Sequence, residues 1–441
     1  MKARNATIFK GEWHSTIFWL LLVTFVNLPA MALASGLGEI LHQVEQNAPL
    51  LQAESARTEA SEAGVRLAKS RYWGHAELFA RSSHYDDDRL VNPISYPPVL
   101  TRSLFDNNTY GYGVAFTLPL DIDGRINADV SAKRHFAEAA MQNEAHTRLS
   151  LFALTVNLYR GLQRQDGVGQ ALQKQFEALK EHQRITEASV QVGRVASVEL
   201  LRIKAETKSV EGELAAIAGD KARIRAQLAA LLNTDYYTEP AEPLGGVPSE
   251  RPSLQQATAT IENRPDVHAA RSIIKAEDEN LKGAKREWLP NLTLHAEASH
   301  NEGYSADGQN IWSITALASW QFLDGGRRHA TTDIARANQL EAQLRYLSTM
   351  NNARAQLHSA SAAWKAAELQ YQAASLGIEA ARENERIQSD RFVSGRISAV
   401  DLIDAEASLA SSRSDFTSAL AGWWLADDLL HLAMGEVPSA Y

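Results

Sequence analysis

The chain has 441 residues, of which 45% are hydrophobic and 22% are charged, and it contains no cysteine. The lack of cysteine excludes disulfides, thiolate metal sites and an acylated N-terminal cysteine. A formal net charge of −9 at pH 7 gives no support for nucleic-acid binding.

The N-terminal segment predicts export. Basic residues precede an apolar run at about 17–26, and Ala32-Leu-Ala34 provides the small residues of a cleavage site. The run is short for a membrane-spanning helix, so we prefer a cleaved signal peptide over residues 1–34 to the alternative of an uncleaved anchor. The rest of the sequence has no apolar run of about eighteen residues and predicts no transmembrane helix.

Helical patterns open both halves of the remaining chain. One at about 38–70 is interrupted at Asn47-Ala-Pro49, and one at about 253–286 is interrupted at Asn263-Arg-Pro265. A tryptophan follows each pattern, and the hydrophobic periodicity then changes from helical to alternating. Each half therefore predicts a helix that leads into strands.

Alternating segments predict two β-hairpins with one apolar face and one polar or small face. The segments lie at about 76–81, 110–118, 292–299 and 312–322. Strands of roughly 9–12 residues cross a bilayer when tilted, and aromatic residues near the ends of the apolar faces are typical of a membrane interface. A sheet packed on a soluble core is the alternative. On the membrane interpretation, the lipid-facing residues are Tyr112, Val114, Phe116, Trp312, Ile314 and Trp320.

A sheet of four strands in lipid would leave backbone groups at its edges without hydrogen-bond partners. Closure therefore requires other chains, and three copies would supply twelve strands. The segment at about 82–108 contains Asp86-Asp-Asp88 and several prolines, and it predicts an external loop.

Long helical patterns follow Gly124-Arg125 and Gly326-Arg327 and continue almost to a second Gly-Arg turn in each half. At 1.5 Å per residue, about 66 helical residues would reach roughly 100 Å. In the second half, alternating spacings of three and four indicate a seam between helices that coil left-handedly. The seam residues are Leu357, Ala360, Trp364, Ala367, Tyr371, Ala374 and Ile378. These helices alone would equally fit a soluble coiled-coil rod.

The second Gly-Arg turns are Val192-Gly-Arg-Val-Ala196 and Gly395-Arg-Ile-Ser398, and a further helix follows each of them, the last at about 399–434. Ser398 followed by Asp401 predicts a capping box at the start of the last helix, whereas Ala196 gives the earlier helix a weaker cap. A helical hairpin turn without further function is the simplest interpretation of either turn.

Both pairs of Gly-Arg turns recur with the same offset, which indicates that one long unit has been duplicated. We predict a first repeat over 35–235, a proline-containing linker over 236–252 and a second repeat over 253–441. The fold class is mostly α with a small β part.

The order of helix, hairpin and long helix pair, repeated behind a signal peptide, resembles the TolC family of trimeric outer-membrane efflux ducts. Trp288-Leu-Pro-Asn-Leu-Thr-Leu294 is similar to the family's entry into a strand, and Phe322-Leu-Asp-Gly-Gly-Arg327 to its exit into a helix. The turns at 192–196 and 395–404 resemble its two periplasmic tips. The resemblance covers essentially residues 35–435, and the whole order carries it, since no single motif suffices.

The resemblance implies a homotrimer. Three chains would share a twelve-stranded transmembrane β-barrel, with four strands from each, in contact with outer-membrane lipid, and a long α-helical barrel would cross the periplasm. The tips would meet a periplasmic adaptor (membrane fusion) protein and, through it, an inner-membrane transporter. The tip residues expected to contact the adaptor are Val192, Gly193, Arg194, Gly395 and Arg396.

The resemblance also implies a constriction at the tips. Asp401 and Asp404 match family positions whose carboxylates ring the entrance, and their spacing puts them on one helical face. Acids that merely offset the helix dipole are the alternative. Glu199 matches an acidic latch position, but the expected arginine is displaced by one place. We hypothesise that Glu199 pairs across the tip with Arg396.

The resulting prediction is an outer-membrane duct of a tripartite efflux or type I secretion system in a Gram-negative bacterium. The alternative is a non-conducting periplasmic coiled-coil scaffold.

No Gly-Lys-Ser/Thr loop or His-Glu-x-x-His pair favours an enzyme, and no cofactor is indicated. His295 and His300 would lie on opposite faces of a strand, so no metal site is predicted. Drugs, metal ions and exported polypeptide all stay open as cargo.

Overall fold

A computed structural model describes residues 36–94, 96, 104–248, 254–394 and 396–438. The predicted signal peptide and Gly395 lie outside these ranges. The helices are α1 (Leu37–Asn47), α2 (Pro49–Ser70), α3 (Arg125–Gln191), α4 (Ser197–Leu231), α5 (Leu254–Thr260), α6 (Pro265–Arg286), α7 (Arg327–Val393) and α8 (Ala399–Met434). The strands are β1 (His75–Leu90), β2 (Phe105–Leu120), β3 (Asn291–Gly303) and β4 (Gln309–Ser319).

The tandem repeat is confirmed by the order of these elements. Each half has a short helix and a 22-residue helix that begins at a proline, then a hairpin, and then a long helix followed by a shorter one. Pro49 and Pro265 lie in the first turn of α2 and α6, where a missing backbone N–H costs nothing. Both helix interruptions were predicted from these prolines.

The four strands form one antiparallel sheet in the order β1-β2-β3-β4. One cross-strand row joins Leu78 to Val114, Ala298 and Trp312. All four are apolar members of the alternating patterns, so the predicted division into two faces is confirmed. The pairing of β2 with β3 joins the two repeats.

Two strand boundaries differ from the sequence prediction. The register shifts between His84 and Arg89, after which β1 pairs with β2 again at Arg89 and Leu90. The predicted external loop at 82–108 is therefore shorter, because the irregularity lets an acidic stretch stay in the hairpin. At the other end, β4 stops at Ser319, so Trp320 lies just beyond the strand.

The long helices α3 and α7 each contain 67 residues, close to the predicted span. At 1.5 Å per residue each is roughly 100 Å long. The predicted seam of α7 faces α8, where the ring of Trp364 lies 5.6 Å from that of Trp423 and Trp364 Nε1 donates a 2.8 Å hydrogen bond to Asp427 Oδ1. Within the described ranges, no helix has both the length and the apolar character to cross a membrane.

Candidate functional site

One face of the sheet is apolar and uncovered. Leu78 is 85% exposed, Trp312 is 75% exposed and Ile314 is 65% exposed. Tyr112, Val114 and Phe116, which were predicted to face lipid, belong to the same exposed face. Side chains of this size lose a favourable burial of about 1.5–3 kcal/mol each when they stay in water, so the face calls for an apolar partner.

The opposite face is polar. It carries His75 and Glu77 on β1 and His295 and Glu297 on β3, and His295 Nδ1 lies 3.1 Å from Thr117 Oγ1. His300 lies on the apolar side, in register with Tyr112, so the prediction that the two histidines of β3 face opposite ways is confirmed. In the described residues, no group of three or more His, Asp or Glu is arranged to hold a metal ion.

The edges of the sheet are unpaired. Within the described part of the chain, β1 pairs only with β2, and β4 pairs only with β3. An edge strand exposes a row of backbone N–H and C=O groups that can pair with another chain. The uncovered face and the two open edges together suit a sheet that is completed by further copies.

The far ends of the long helices turn in the same way in both repeats. Arg194 N donates a 2.9 Å bond to Ser189 O, and Arg396 N donates a 2.9 Å bond to Arg391 O. Gly193 has φ 72°, a left-handed conformation that glycine adopts without a Cβ penalty. These turns close the helix ends and leave Val192, Arg194 and Arg396 exposed, as an adaptor-contact surface would require.

The two aspartates of the predicted constriction differ in their surroundings. Asp401 Oδ2 accepts bonds from Ser398 Oγ at 2.8 Å and from Ser398 N at 3.0 Å, which confirms the capping box. The hydroxyl bond and then the backbone bond of Ser398 hold the pKa of the Asp401 carboxyl below its usual range. Asp404 is exposed, and its carboxylate has no partner among the described residues.

The hypothesised latch residues do not pair within this chain. Glu199 Oε1 lies 3.7 Å from Arg202 Nη1 on the same helix, and Glu199 Oε2 is buried without a hydrogen-bond partner among the described residues. Arg396 is exposed at the other tip. An ion pair between Glu199 and Arg396 would therefore have to join neighbouring chains.

The structure also contains contacts between the repeats that sequence reasoning missed. His182 Nε2 on α3 lies 2.6 Å from Glu406 Oε1 on α8, and Arg160 Nε on α3 lies 2.8 Å from Asp428 Oδ2 on α8. The only available signal was the presence of acidic residues among the apolar residues of α8, which points to buried partners without naming them.

Three comparisons extend these observations. The chain matches the sequence model of the family described as outer membrane efflux protein over residues 40–234 and 256–436. Nodulation protein T of Rhizobium leguminosarum bv. trifolii is 23% identical over 60% of this chain and 58% of its own length. The toluene efflux pump outer membrane protein TtgC of Pseudomonas putida is 22% identical over 67% of this chain and 62% of its own length. The match therefore spans less than two thirds of either relative.

The fold has solved counterparts. The outer membrane protein VceC of Vibrio cholerae superposes with a TM-score of 0.76 at 20% identity, over 91% of this chain and 96% of that chain. A similarity of this extent at so low an identity shows that the two chains share a fold.

Proposed function

The chain belongs to the family of outer membrane efflux proteins. We propose that it forms a passive duct across the outer membrane and periplasm of a Gram-negative bacterium. The single observation that carries the proposal is the sheet with an uncovered apolar face and two open edges. In lipid, such a sheet is stable only when its edges are paired.

Three copies satisfy that requirement. Twelve strands close into a barrel in which the apolar face contacts lipid and the face with His75, Glu77, His295 and Glu297 lines the lumen. Transmembrane barrels alternate apolar residues outside with polar residues inside, as this sheet does. We therefore propose a homotrimer in contact with outer-membrane lipid.

The helices supply the second part of the duct. At 67 residues each, α3 and α7 reach roughly 100 Å from the sheet, which suits a path through the periplasm. The exposed turns at Val192–Arg194 and at Arg396 would then dock a periplasmic adaptor, which connects the duct to an inner-membrane transporter. The transporter supplies the energy, and the duct conducts the cargo passively.

Asp401 and Asp404 would form the narrow entrance. Threefold symmetry turns each aspartate into a ring of three carboxylates, which repels anions and attracts cations. Glu199 of one chain and Arg396 of its neighbour are the candidates for a latch between subunits. Within one chain Glu199 Oε1 lies 3.7 Å from Arg202 Nη1. If Glu199 and Arg396 form no latch, Arg396→Glu should leave the resting conductance unchanged.

Reconstitution of the purified protein into a planar bilayer tests the duct. We expect discrete single-channel currents that prefer cations, and a weaker preference in the Asp401→Ala/Asp404→Ala double variant. A protein that inserts as a trimer but gives no current, alone or with its adaptor, would instead favour the non-conducting scaffold. An enzymatic role is not proposed, because the sequence contains no phosphate-binding loop or metalloprotease motif.

A further inference from the structure

A histidine and a glutamate join the two repeats close to the tips. His182 Nε2 on α3 lies 2.6 Å from Glu406 Oε1 on α8, and their side chains are only 17% and 10% exposed. His182 precedes the end of α3, and Glu406 follows the start of α8, each by about two to three helical turns. The pair therefore connects the first helical hairpin to the second just above the proposed entrance.

The pair lies at a junction of three helices. Phe392 near the end of α7 makes an edge contact with the His182 ring, with centroids 6.0 Å apart. One turn along α3, buried Leu179 belongs to an apolar cluster that includes Ile403 of α8. The contact therefore aligns both helices of the second hairpin with α3.

Each side chain of the pair uses only one of its two polar atoms in a hydrogen bond. His182 Nδ1 and Glu406 Oε2 are buried and have no hydrogen-bond partner among the described residues. A buried polar atom without a partner costs free energy, so a contact that leaves two of them stabilises less than a complete network would. Such a contact can hold a helix in place and still be released.

We propose that His182 and Glu406 form a releasable clasp that positions the first turns of α8, and with them Asp404, against α3. Glu406 lies two residues after Asp404 on the same continuous helix, so a shift of Glu406 away from α3 moves Asp404 with it. The inference rests on the proposed function, since Asp404 matters here as part of the entrance. The clasp residues are positioning residues and do not themselves line the entrance.

The clasp responds to pH. The hydrogen bond to Glu406 raises the pKa of His182 despite the opposing effect of burial, and the charges of Glu406, of Glu181 on α3 and of Glu385 on α7 act in the same direction as the bond. The stabilisation by a charged imidazole is complete below the ordinary histidine pKa of about 6.5, and it is lost as pH rises through the raised value. The clasp is therefore tighter in acid and looser in alkali.

Single-channel recording of the full chain at two pH values tests the pH dependence of the clasp. Between about pH 5.5 and about pH 8.5, on either side of the histidine range, we expect the open probability of the wild type to rise several-fold. His182→Gln and Glu406→Gln should be open at both pH values, and His182→Lys, which keeps a positive charge over this range, should stay as closed as the wild type in acid. His431→Gln is the matched control, because His431 forms a similar contact with Glu436 at 3.2 Å near the other end of α8. Its pH profile should equal that of the wild type.

Amide hydrogen exchange over residues 399–410 gives a readout that does not depend on conduction. We expect faster exchange in His182→Gln than in His431→Gln at acid pH, with the two variants converging in alkali. If the wild type conducts but His182→Gln has the same pH profile and the same exchange as the control, the clasp is wrong and the duct stands. If no protein conducts, alone or with its adaptor, the duct proposal fails, and the exchange data alone decide whether the clasp exists.

Discussion

Arg160 Nε donates a 2.8 Å hydrogen bond to Asp428 Oδ2, and this contact links the two repeats inside the protein. Both side chains are at least nine-tenths buried, Arg160 also donates to Gln163 Oε1 at 3.0 Å, and its guanidinium lies 5.1 Å from the Trp424 ring centre. Burial raises the pKa of the Asp428 carboxyl, although Arg160 opposes the shift. Burying this charged pair therefore costs desolvation free energy, and removing one partner costs further free energy because the other charge stays buried alone.

Removing one partner of this pair should destabilise the protein strongly. Arg160→Met leaves a buried carboxylate without its cation, and we expect a loss of about 3–5 kcal/mol in the free energy of unfolding. Arg160→Met combined with Asp428→Leu should recover most of that loss, because two apolar side chains leave no uncompensated charge. Denaturant unfolding checks both expectations. Arg184→Ala, which removes an exposed pair with Glu181, is the control and should change little.

A second buried arginine, Arg264, predicts that the free energy of unfolding depends on pH. Arg264 makes two bonds to Asp266, at 2.8 and 3.0 Å, and donates to Ala433 O at 2.8 Å and to Gln356 Oε1 at 2.9 Å. Burial alone would raise the pKa of Asp266, but the hydrogen bonds and the charge of Arg264 lower it below the ordinary value. Because the folded-state pKa is depressed, this stabilisation is present above the ordinary aspartate pKa of about 3.9 and is lost as pH falls through the lowered value.

Arg264→Gln should therefore lower the free energy of unfolding by about 3 kcal/mol at neutral pH. The difference from the wild type should shrink as the pH falls below about 4, where Asp266 becomes protonated. Unfolding measured at a series of pH values checks this. Arg271→Gln on α6 removes a 3.6 Å ion pair with exposed Glu262 and a long 3.4 Å bond to Tyr346 Oη, and it should give a small, nearly constant difference. A constant difference for Arg264→Gln would contradict the linkage.

Substitutions at two adjacent residues of β4 distinguish the membrane-duct hypothesis from the scaffold hypothesis. Ile314 belongs to the apolar face, and Thr315 belongs to the polar face in register with His295. A lysine on the lipid-facing side of a barrel costs about 2–4 kcal/mol at the bilayer midplane, and three copies multiply the effect. Ile314→Lys should therefore reduce assembly into lipid vesicles, whereas Thr315→Lys should assemble normally. Equal assembly of the two variants would count against a lipid-facing sheet.

The two aspartates of the proposed entrance should contribute unequally to the cation preference. Asp401 is bonded to Ser398 in the capping box, whereas Asp404 is exposed and unpaired among the described residues. We expect Asp404→Asn to reduce the cation preference of the channel more than Asp401→Asn does. Reversal potentials in a salt gradient measure the preference. Asp415→Asn, farther along α8, should leave the preference unchanged, and an equal effect of all three variants would exclude a ring at the entrance.

Local signals in the sequence anticipated most of the secondary structure. Pro49 and Pro265 marked helix starts, Ser398 and Asp401 marked a capped helix, and the distance between Gly-Arg turns gave the length of the long helices. Each of these features depends on residues close together in the chain or on a repeated spacing. The sequence prediction for the end of β1 is wrong, because Asp86-Asp-Asp88 has the composition of a loop and a register shift within a hairpin leaves no clear local signal.

The sequence by itself determined the repeat, the lengths of the helices and the two faces of the hairpins, because periodicity and turn residues act locally along the chain. Only the tertiary structure decided which distant side chains meet. Arg160 could have paired with any acidic residue, and His182 could have been an ordinary surface histidine. Their partners Asp428 and Glu406 lie more than two hundred residues away, and only the packing of α3 against α8 brings them within hydrogen-bond distance.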